Sequence, residues 1–402
     1  MTSADGVDGY LELVLGALWP GRSVLRVPPA RRRAPGETAL IPLPHHRNPR
    51  LLVPEGPPAA SAAAVRNFNT FTTGLTRAKS QLAAAGVRAG ALRWAPSRLL
   101  LRGEEPGIDA YLSQVLGLPV QVALYIGPRR AVQKPVLQVI DPSGHTIGFA
   151  KVGINELTRR LVRREADALR AVATHDTRVL RVPDIVHAGV WEGHELLVQE
   201  AVPPGRSRAA VRRWLPEATA EVGRIEGTTW SAWPASTYRR RLGQRQRALV
   251  SHPCAPLLTA ALDLADRVVG TDAVEFGCSH GDWASWNFTA NDDYLVAWDW
   301  EHFARDVPLG LDAVHHDIAE RTALRGLRPA AAFADLVGDL PTALTGTMVG
   351  ASAAPRAVAL YVVEILTRYL EDDEARNGTT AMSRVSDWVP PTLGLLAGSA
   401  TR

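Results

Sequence analysis

The chain has 402 residues, 46% hydrophobic and 21% charged, with 45 Lys and Arg against 41 Asp and Glu for a formal net charge of +4. That length exceeds what one core usually organises, so two or three units are expected. So small a charge excess, with no long basic run interleaved with aromatics, gives no ground for a nucleic-acid partner. Cys254 and Cys278 are the only cysteines, too few for a disulfide framework or a cysteine zinc site, and they suit a reducing compartment.

Asp5, Asp8 and Glu12 stand where a signal peptide would be basic, and the apolar stretch 13–19 is too short to cross a bilayer. A cytoplasmic protein with no membrane partner is therefore expected. Arg31, Arg32 and Arg33, with His45, His46 and Arg47 nearby, fall in a Pro-containing segment that reads as a solvated loop. Residues 1–115 are predicted to hold a short hairpin (39–43 and 51–53), an Ala-rich helix over about 59–85 and a small helix near 108–115. They carry no catalytic spacing, and a cap-like region or a protein-binding element both remain open.

Further along, segments 120–126 and 135–140 alternate as a hairpin, and 146–152 continues the strand pattern after an Asp-Pro-Ser-Gly turn at 141–144. A helix is predicted over 155–173, its apolar stripe marked by Leu157, Leu161, Ala168 and Leu169. Of the 45 basic residues only Lys79, Lys134 and Lys151 are lysine. Lys151 lies on the third strand, and a compact ammonium on a flexible stem suits phosphate oxygens. Segments 183–191 and 194–202 form another strand pair around a Glu-Gly turn, ended by Pro203, Pro204 and Gly205. From 206 to 270 the period turns helical, with stretches at 209–213, 218–225 and 257–269. Trp230, Trp233 and Tyr238 between them read mostly as core.

The most informative stretch is Ser279-His-Gly-Asp-Trp-Ala-Ser-Trp-Asn-Phe288, followed by Trp298-Asp-Trp-Glu301. Asp282 and Asn287 are five residues apart in a turn between apolar runs at 274–276 and 294–298, and Asp299 ends the second run. Phosphoryl transfer needs this set: a carboxylate to orient and deprotonate the attacking hydroxyl, and oxygen ligands to hold Mg²⁺ against the phosphates.

The pattern H-G-D-x-x-x-x-N, then strand-D-x-E, resembles the catalytic signature of the aminoglycoside phosphotransferase and choline kinase group, small-molecule relatives of the protein kinases. The resemblance covers roughly residues 118–375. It implies an α+β, protein-kinase-like two-lobed fold: an additional N-terminal region at 1–115, an antiparallel-sheet N-lobe at 116–203 and a mostly helical C-lobe at 204–402 that carries the catalytic loop. It assigns the base to Asp282 and the Mg²⁺ ligands to Asn287 and Asp299. Lys151 would contact the phosphates of ATP or GTP, paired with a helix glutamate, either Glu165 or Glu156. Backbone groups of Glu200 and Val202 would meet the adenine edge, and Asp312 would brace the catalytic loop through its amides.

The phosphate-covering loop departs from the family, with one glycine in 127–134, so amide cradling is in doubt and Arg129, Arg130 or Lys134 would have to supply charge. His280, His315 and His316 read as structural, since adjacent histidines on a helix point apart. The acids Glu371, Asp372, Asp373 and Glu374 are a candidate acceptor site, with a solvated helix end equally open. The function implied is γ-phosphoryl transfer from ATP or GTP to a hydroxyl of a small molecule such as an aminoglycoside, sugar or amino alcohol. A non-catalytic pseudokinase scaffold is the alternative. A protein kinase fits less well, with H-G-D for H-R-D and no evident activation segment. The oligomeric state is not legible.

Overall fold

A computed structural model describes residues 5–28, 34, 36–44, 49–67, 74–127, 132–202, 208–339 and 353–400. Two compact units divide it: Met1–Pro128 with Gln133–Ala166 and Pro183–Pro204, and Arg129–Val132 with Asp167–Val182 and Gly205–Arg402. The basic cluster at 31–33 and 45–47, Arg129 and Arg130, and the Pro-Pro-Gly break at 203–205 lie outside the described residues.

In the first unit β1 (Ser23–Val27), β2 (Thr38–Leu43), β3 (Leu51–Pro54), β4 (Arg98–Arg102), β5 (Gln121–Tyr125), β6 (Val136–Ile140), β7 (Thr146–Gly153), β9 (Ile185–Trp191) and β10 (His194–Glu200) make one sheet. Among the described residues its nine strands run β1-β4-β2-β3-β5-β6-β7-β10-β9, every neighbour antiparallel. Side chains alternate between the faces of a strand, and this alternation sorts the core. Leu52, Val122, Leu124, Leu137, Val139, Ala150 and Val152 pack with α1 (Asp5–Leu18) and α4 (Ile108–Leu116). Their neighbours Leu51, Val53, Ala123 and Ile140 pack with α2 (Pro58–Asn67) and α3 (Gly74–Arg88).

The expected Ala-rich helix at 59–85 is thus two helices: α2 packs on the sheet, and α3 packs on α2, with Ala84 and Val87 in the same buried cluster. Residues 1–115, which the sequence left open as a cap or a protein-binding element, supply four of the nine strands seen among the described residues, and β3 pairs directly with β5 through Leu51↔Tyr125 and Leu52↔Leu124. Gln138 is fully buried but satisfied: Tyr125 Oη donates to its Oε1 at 2.8 Å, and its Nε2 donates to Thr146 Oγ1 at 2.7 Å.

The second unit is mostly helical. It contains the sheet β11 (Thr229–Ala232), β12 (Ala273–Ser279) and β15 (Ala304–Pro308), and a small one of β13 (Phe288–Ala290), β14 (Leu295–Ala297) and β8 (Leu180–Arg181). Its helices are α6 (Arg208–Arg224), α7 (Thr237–Ala248), α8 (Ala255–Val269), α9 (Leu311–Ala319), α10 (Pro329–Gly338), α11 (Ala354–Glu371), α12 (Glu374–Asn377) and α13 (Val385–Ala400). The separate stretches predicted at 209–213 and 218–225 form one helix through Pro216. Proline removes one ladder bond there, and the buried Ala210, Ala218 and Val222 on either side hold the helix across it. Trp233 and Tyr238 are buried as expected, whereas Trp230 is exposed. The α+β class, with an antiparallel-sheet unit and a mostly helical unit, is as the resemblance implies. Among the described residues no helix is long and apolar enough to cross a membrane.

Gly148 on β7 faces its partner strand so closely that an added Cβ would lie 2.1 Å from the Gln199 carbonyl oxygen. Gly148→Val is expected to lower the urea midpoint by forcing the strands apart, at a cost of about 1–3 kcal/mol.

Candidate active site

On β7 the alternation that buries Ala150 and Val152 against α1 and α4 sends Lys151 to the opposite face. Leu197 stands directly across from it on β10. Helix α5 (Glu156–Ala173), whose N-terminus belongs to the first unit, begins at Asn155, whose Oδ1 accepts from Thr158 N at 2.9 Å. Glu165 sits within the buried stripe of Leu161, Val162 and Leu169 and is itself fully buried. Lys151 Nζ lies 2.5 Å from Glu165 Oε1, and Gln199 Nε2 donates to the same oxygen at 2.7 Å. Glu156 is exposed on the first turn, so Glu165 is the partner of Lys151. Gln199, two residues beyond Leu197 on the same face of β10, was missed in the sequence. Strand parity alone could have found it. Glu200 N donates to Asp184 O at 2.9 Å, and Val202 follows in coil.

In the second unit β12 ends at Ser279, and the chain turns through Gly281 at φ +85°, where a Cβ would meet His302 O at 2.5 Å. Glycine is the residue that can take both the left-handed backbone and the close approach. Asn287 Nδ2 donates to Asp282 O and to Asp282 Oδ2, both at 2.8 Å. The hairpin β13–β14 starts at once, with Phe288↔Ala297 paired and Trp298 N donating to Asn287 O at 2.9 Å. That register carries Asp299 to the end of the hairpin where Asn287 begins it. Asp299 adopts φ +68°, a left-handed conformation that aspartate tolerates better than most residues. Its carboxylate and that of Glu301 bring oxygens within 4.8 Å of one another.

His280 is fully buried, its ring 4.5 Å from that of Trp300 and 5.3 Å from that of Trp283. Its Nδ1 accepts from Asp282 N at 3.2 Å, so Nε2 carries the proton donated to Trp298 O at 3.0 Å. Burial lowers its pKa and favours this neutral form. The structural role read from sequence agrees with that geometry.

Asp312 lies on the first turn of α9. Its Oδ1 accepts from Ser279 Oγ at 2.8 Å and Gly281 N at 2.9 Å, and its Oδ2 accepts from His280 N at 2.7 Å. One turn on, His315 does more than fill a core position: its Nε2 lies 2.9 Å from Asp282 Oδ1, and its Nδ1 lies 3.0 Å from Tyr361 Oη. The usable signal was the i, i+3 spacing from Asp312, which puts both side chains on the face of α9 that meets the turn. Tyr361 belongs to α11, as does Arg368, which donates to Gly281 O. Burial alone would push the Asp282 carboxyl up. The His315 hydrogen bond, with the charges of His315, Arg368 and His302, outweighs it and holds the group well below the usual carboxylate range.

A cavity of about 320 Å³ opens beside Asp282, its walls including Trp286, His315, Tyr361, Asp372 and Glu374. The acidic run at 371–374 is therefore divided. Glu371 accepts from Arg245 Nε and Nη2, both at 2.8 Å, and Asp373 contacts Arg376 and Asn377. Asp372 and Glu374 are the two that face the cavity.

No family model matches the chain, and no curated protein matches it. Among solved structures it is similar to small-molecule kinases and phosphotransferases, the group its H-G-D motif resembles. A thermostable mutant of an aminoglycoside phosphotransferase in its apo form is 13% identical over 73% of this chain and 100% of that one, with a TM-score of 0.48. The choline kinase of Streptococcus pneumoniae is 12% identical over 72% and 98%, at 0.42. An amicoumacin kinase in complex with AMP-PNP, Ca²⁺ and Ami is 15% identical over 68% and 88%, at 0.41. Likenesses this distant carry no argument about activity, which rests on the residues themselves.

Two stability effects follow. Asp312→Ala leaves the His280 amide and the Ser279 hydroxyl without their acceptor, while Gly281 N keeps Ser279 Oγ at 3.1 Å, and is expected to cost about 1–3 kcal/mol for each buried donor orphaned, read from urea unfolding. Lys151→Met strands the buried Glu165 carboxylate and is expected to cost about 3–5 kcal/mol, most of which the double variant Lys151→Met/Glu165→Leu recovers.

Proposed function

We propose that this protein is a phosphotransferase that moves the γ-phosphoryl group of ATP or GTP to a hydroxyl of a small molecule: an aminoglycoside, a sugar or an amino alcohol. The observation that carries the reading is Asp282, a carboxylate held anionic by its surroundings at the wall of a cavity, with one oxygen bonded to Asn287 five residues on. An acceptor hydroxyl in that cavity would give its proton to Asp282 as it attacks. Most of the rate in such transfers comes from positioning and charge, so the wall residues that orient the hydroxyl matter as much as the base.

The donor set suits Mg²⁺. Asn287 commits its amide nitrogen to Asp282, which directs its carbonyl oxygen elsewhere, and Asp299 and Glu301 add carboxylate oxygens close together. In this reading Asn287 and Asp299 hold the cation, which would offset the charge of the phosphate oxygens. In the first unit Lys151, fixed by Glu165, is assigned to the nucleotide phosphates, and the backbone of Glu200 and Val202 to the base.

The acceptor is a free small molecule; neither a nucleic acid nor a membrane is a partner in this reading, and the protein works in the cytoplasm. Asp282→Asn is expected to lower ADP release in the presence of Mg²⁺ and a panel of hydroxyl compounds by about 10²–10⁴-fold, with nucleotide affinity little changed. Near-normal turnover in that variant would falsify the assignment. Nucleotide binding without turnover by the wild type across the whole panel would favour a scaffold instead.

A further inference from the structure

The Asp282 carboxylate is gripped from two sides. Asn287 Nδ2 donates to Oδ2 at 2.8 Å from within the turn, while His315 Nε2 approaches Oδ1 at 2.9 Å from α9. With one oxygen anchored to the turn and the other to a helix, rotation about the Cβ–Cγ bond is blocked, and the remaining lone pairs are aimed by the fold. The His315 ring is itself fixed. It is buried, its Nδ1 is 3.0 Å from Tyr361 Oη, and the two rings meet edge to face at 5.8 Å.

Tyr361 is buried on α11, which raises its pKa and keeps the phenol protonated. A neutral phenol can donate to Nδ1, and the ring proton then resides on Nε2, pointing at the carboxylate. If the ring is doubly protonated, Nδ1–H donates to the phenol oxygen and Nε2–H still faces Asp282. In both states Asp282 Oδ1 receives a hydrogen bond and does not face a lone pair.

We propose that His315, with its tautomer set by Tyr361, is the positioning residue that holds the Asp282 carboxylate in its working orientation. The proposal rests on the phosphotransfer reading of the site. His315 does not take the hydroxyl proton; it acts through Asp282, and Tyr361 acts through His315. A histidine serving only to fill the core would affect folding without a selective effect on turnover by the folded enzyme.

The test uses the full chain with MgATP and follows ADP release, with water and with the same panel of hydroxyl compounds as acceptors, for His315→Ala, His315→Gln, Tyr361→Phe and the reference Asp282→Asn. His315→Ala should lower kcat about 10²-fold, the scale expected when a reacting group is misplaced. KM for MgATP should stay near the wild-type value. His315→Gln, whose Nε2 can donate from a similar reach, should recover much of that loss, and Tyr361→Phe should lower kcat by a smaller factor with KM unchanged. The proposal is overturned if His315→Ala keeps wild-type kcat, if a folded His315→Gln is as slow as His315→Ala, or, where His315→Ala does not fold, if Tyr361→Phe keeps wild-type kcat. If Asp282→Asn turns over normally or the wild type releases no ADP, the phosphotransfer reading fails first and this proposal falls with it.

Discussion

Three donors converge on the carboxylate of Asp312, and the shape of the turn from Ser279 to Asp282 depends on that convergence. A buried turn that crosses out of a strand leaves amides with no ladder partner, and each would be costly if unpaired. One side chain on the first turn of α9 satisfies two of them and the Ser279 hydroxyl. With the turn held, Gly281 can pass close to His302, Asp282 can present its carboxylate, and Asn287 can reach back to close the loop. The helix that supplies this anchor also delivers His315 to Asp282, so a shift of α9 would move the brace and the carboxylate together.

The first unit solves a different problem, that of holding an ammonium in a largely apolar setting. Lys151 is buried, and its charge is met by a carboxylate that is also buried. Such a pair is tolerable only when the geometry is good and further hydrogen bonds share the load. Gln199 provides one, from a strand whose register with β7 brings it to the same face. The antiparallel register of two strands and the period of one helix thus fix three side chains that are distant in the chain.

The legible parts of the sequence were those where a local pattern coincides with the chemistry. Asp282, Asn287 and Asp299 could be named from spacing and flanking strands, Asp312 only through the family resemblance, and the strand pairs around 120–140 and 183–200 from alternation. What escaped notice depended on tertiary partners. His315 was weighed against its neighbour His316, with which it shares no face, and not against Asp312, with which it does. Glu165 and Glu156 could not be separated by period alone, because which turn of α5 meets the sheet is decided by packing. The boundary between α2 and α3 was there to be read: residues 67–74, Asn-Phe-Asn-Thr-Phe-Thr-Thr-Gly, contain no alanine and are weak helix formers, but the alanines on either side drew the stretch into one helix.

Because β3 and β5 share hydrogen bonds, the region before residue 116 is part of the same continuous backbone network as the strand that bears Lys151. A shortened chain beginning at α4 would bare one rim of β5, whose N–H and C=O groups would lose their ladder partners on β3. Such a rim can template the addition of strands from other copies. The early residues therefore carry the sheet past β5 and move its edge out to β1.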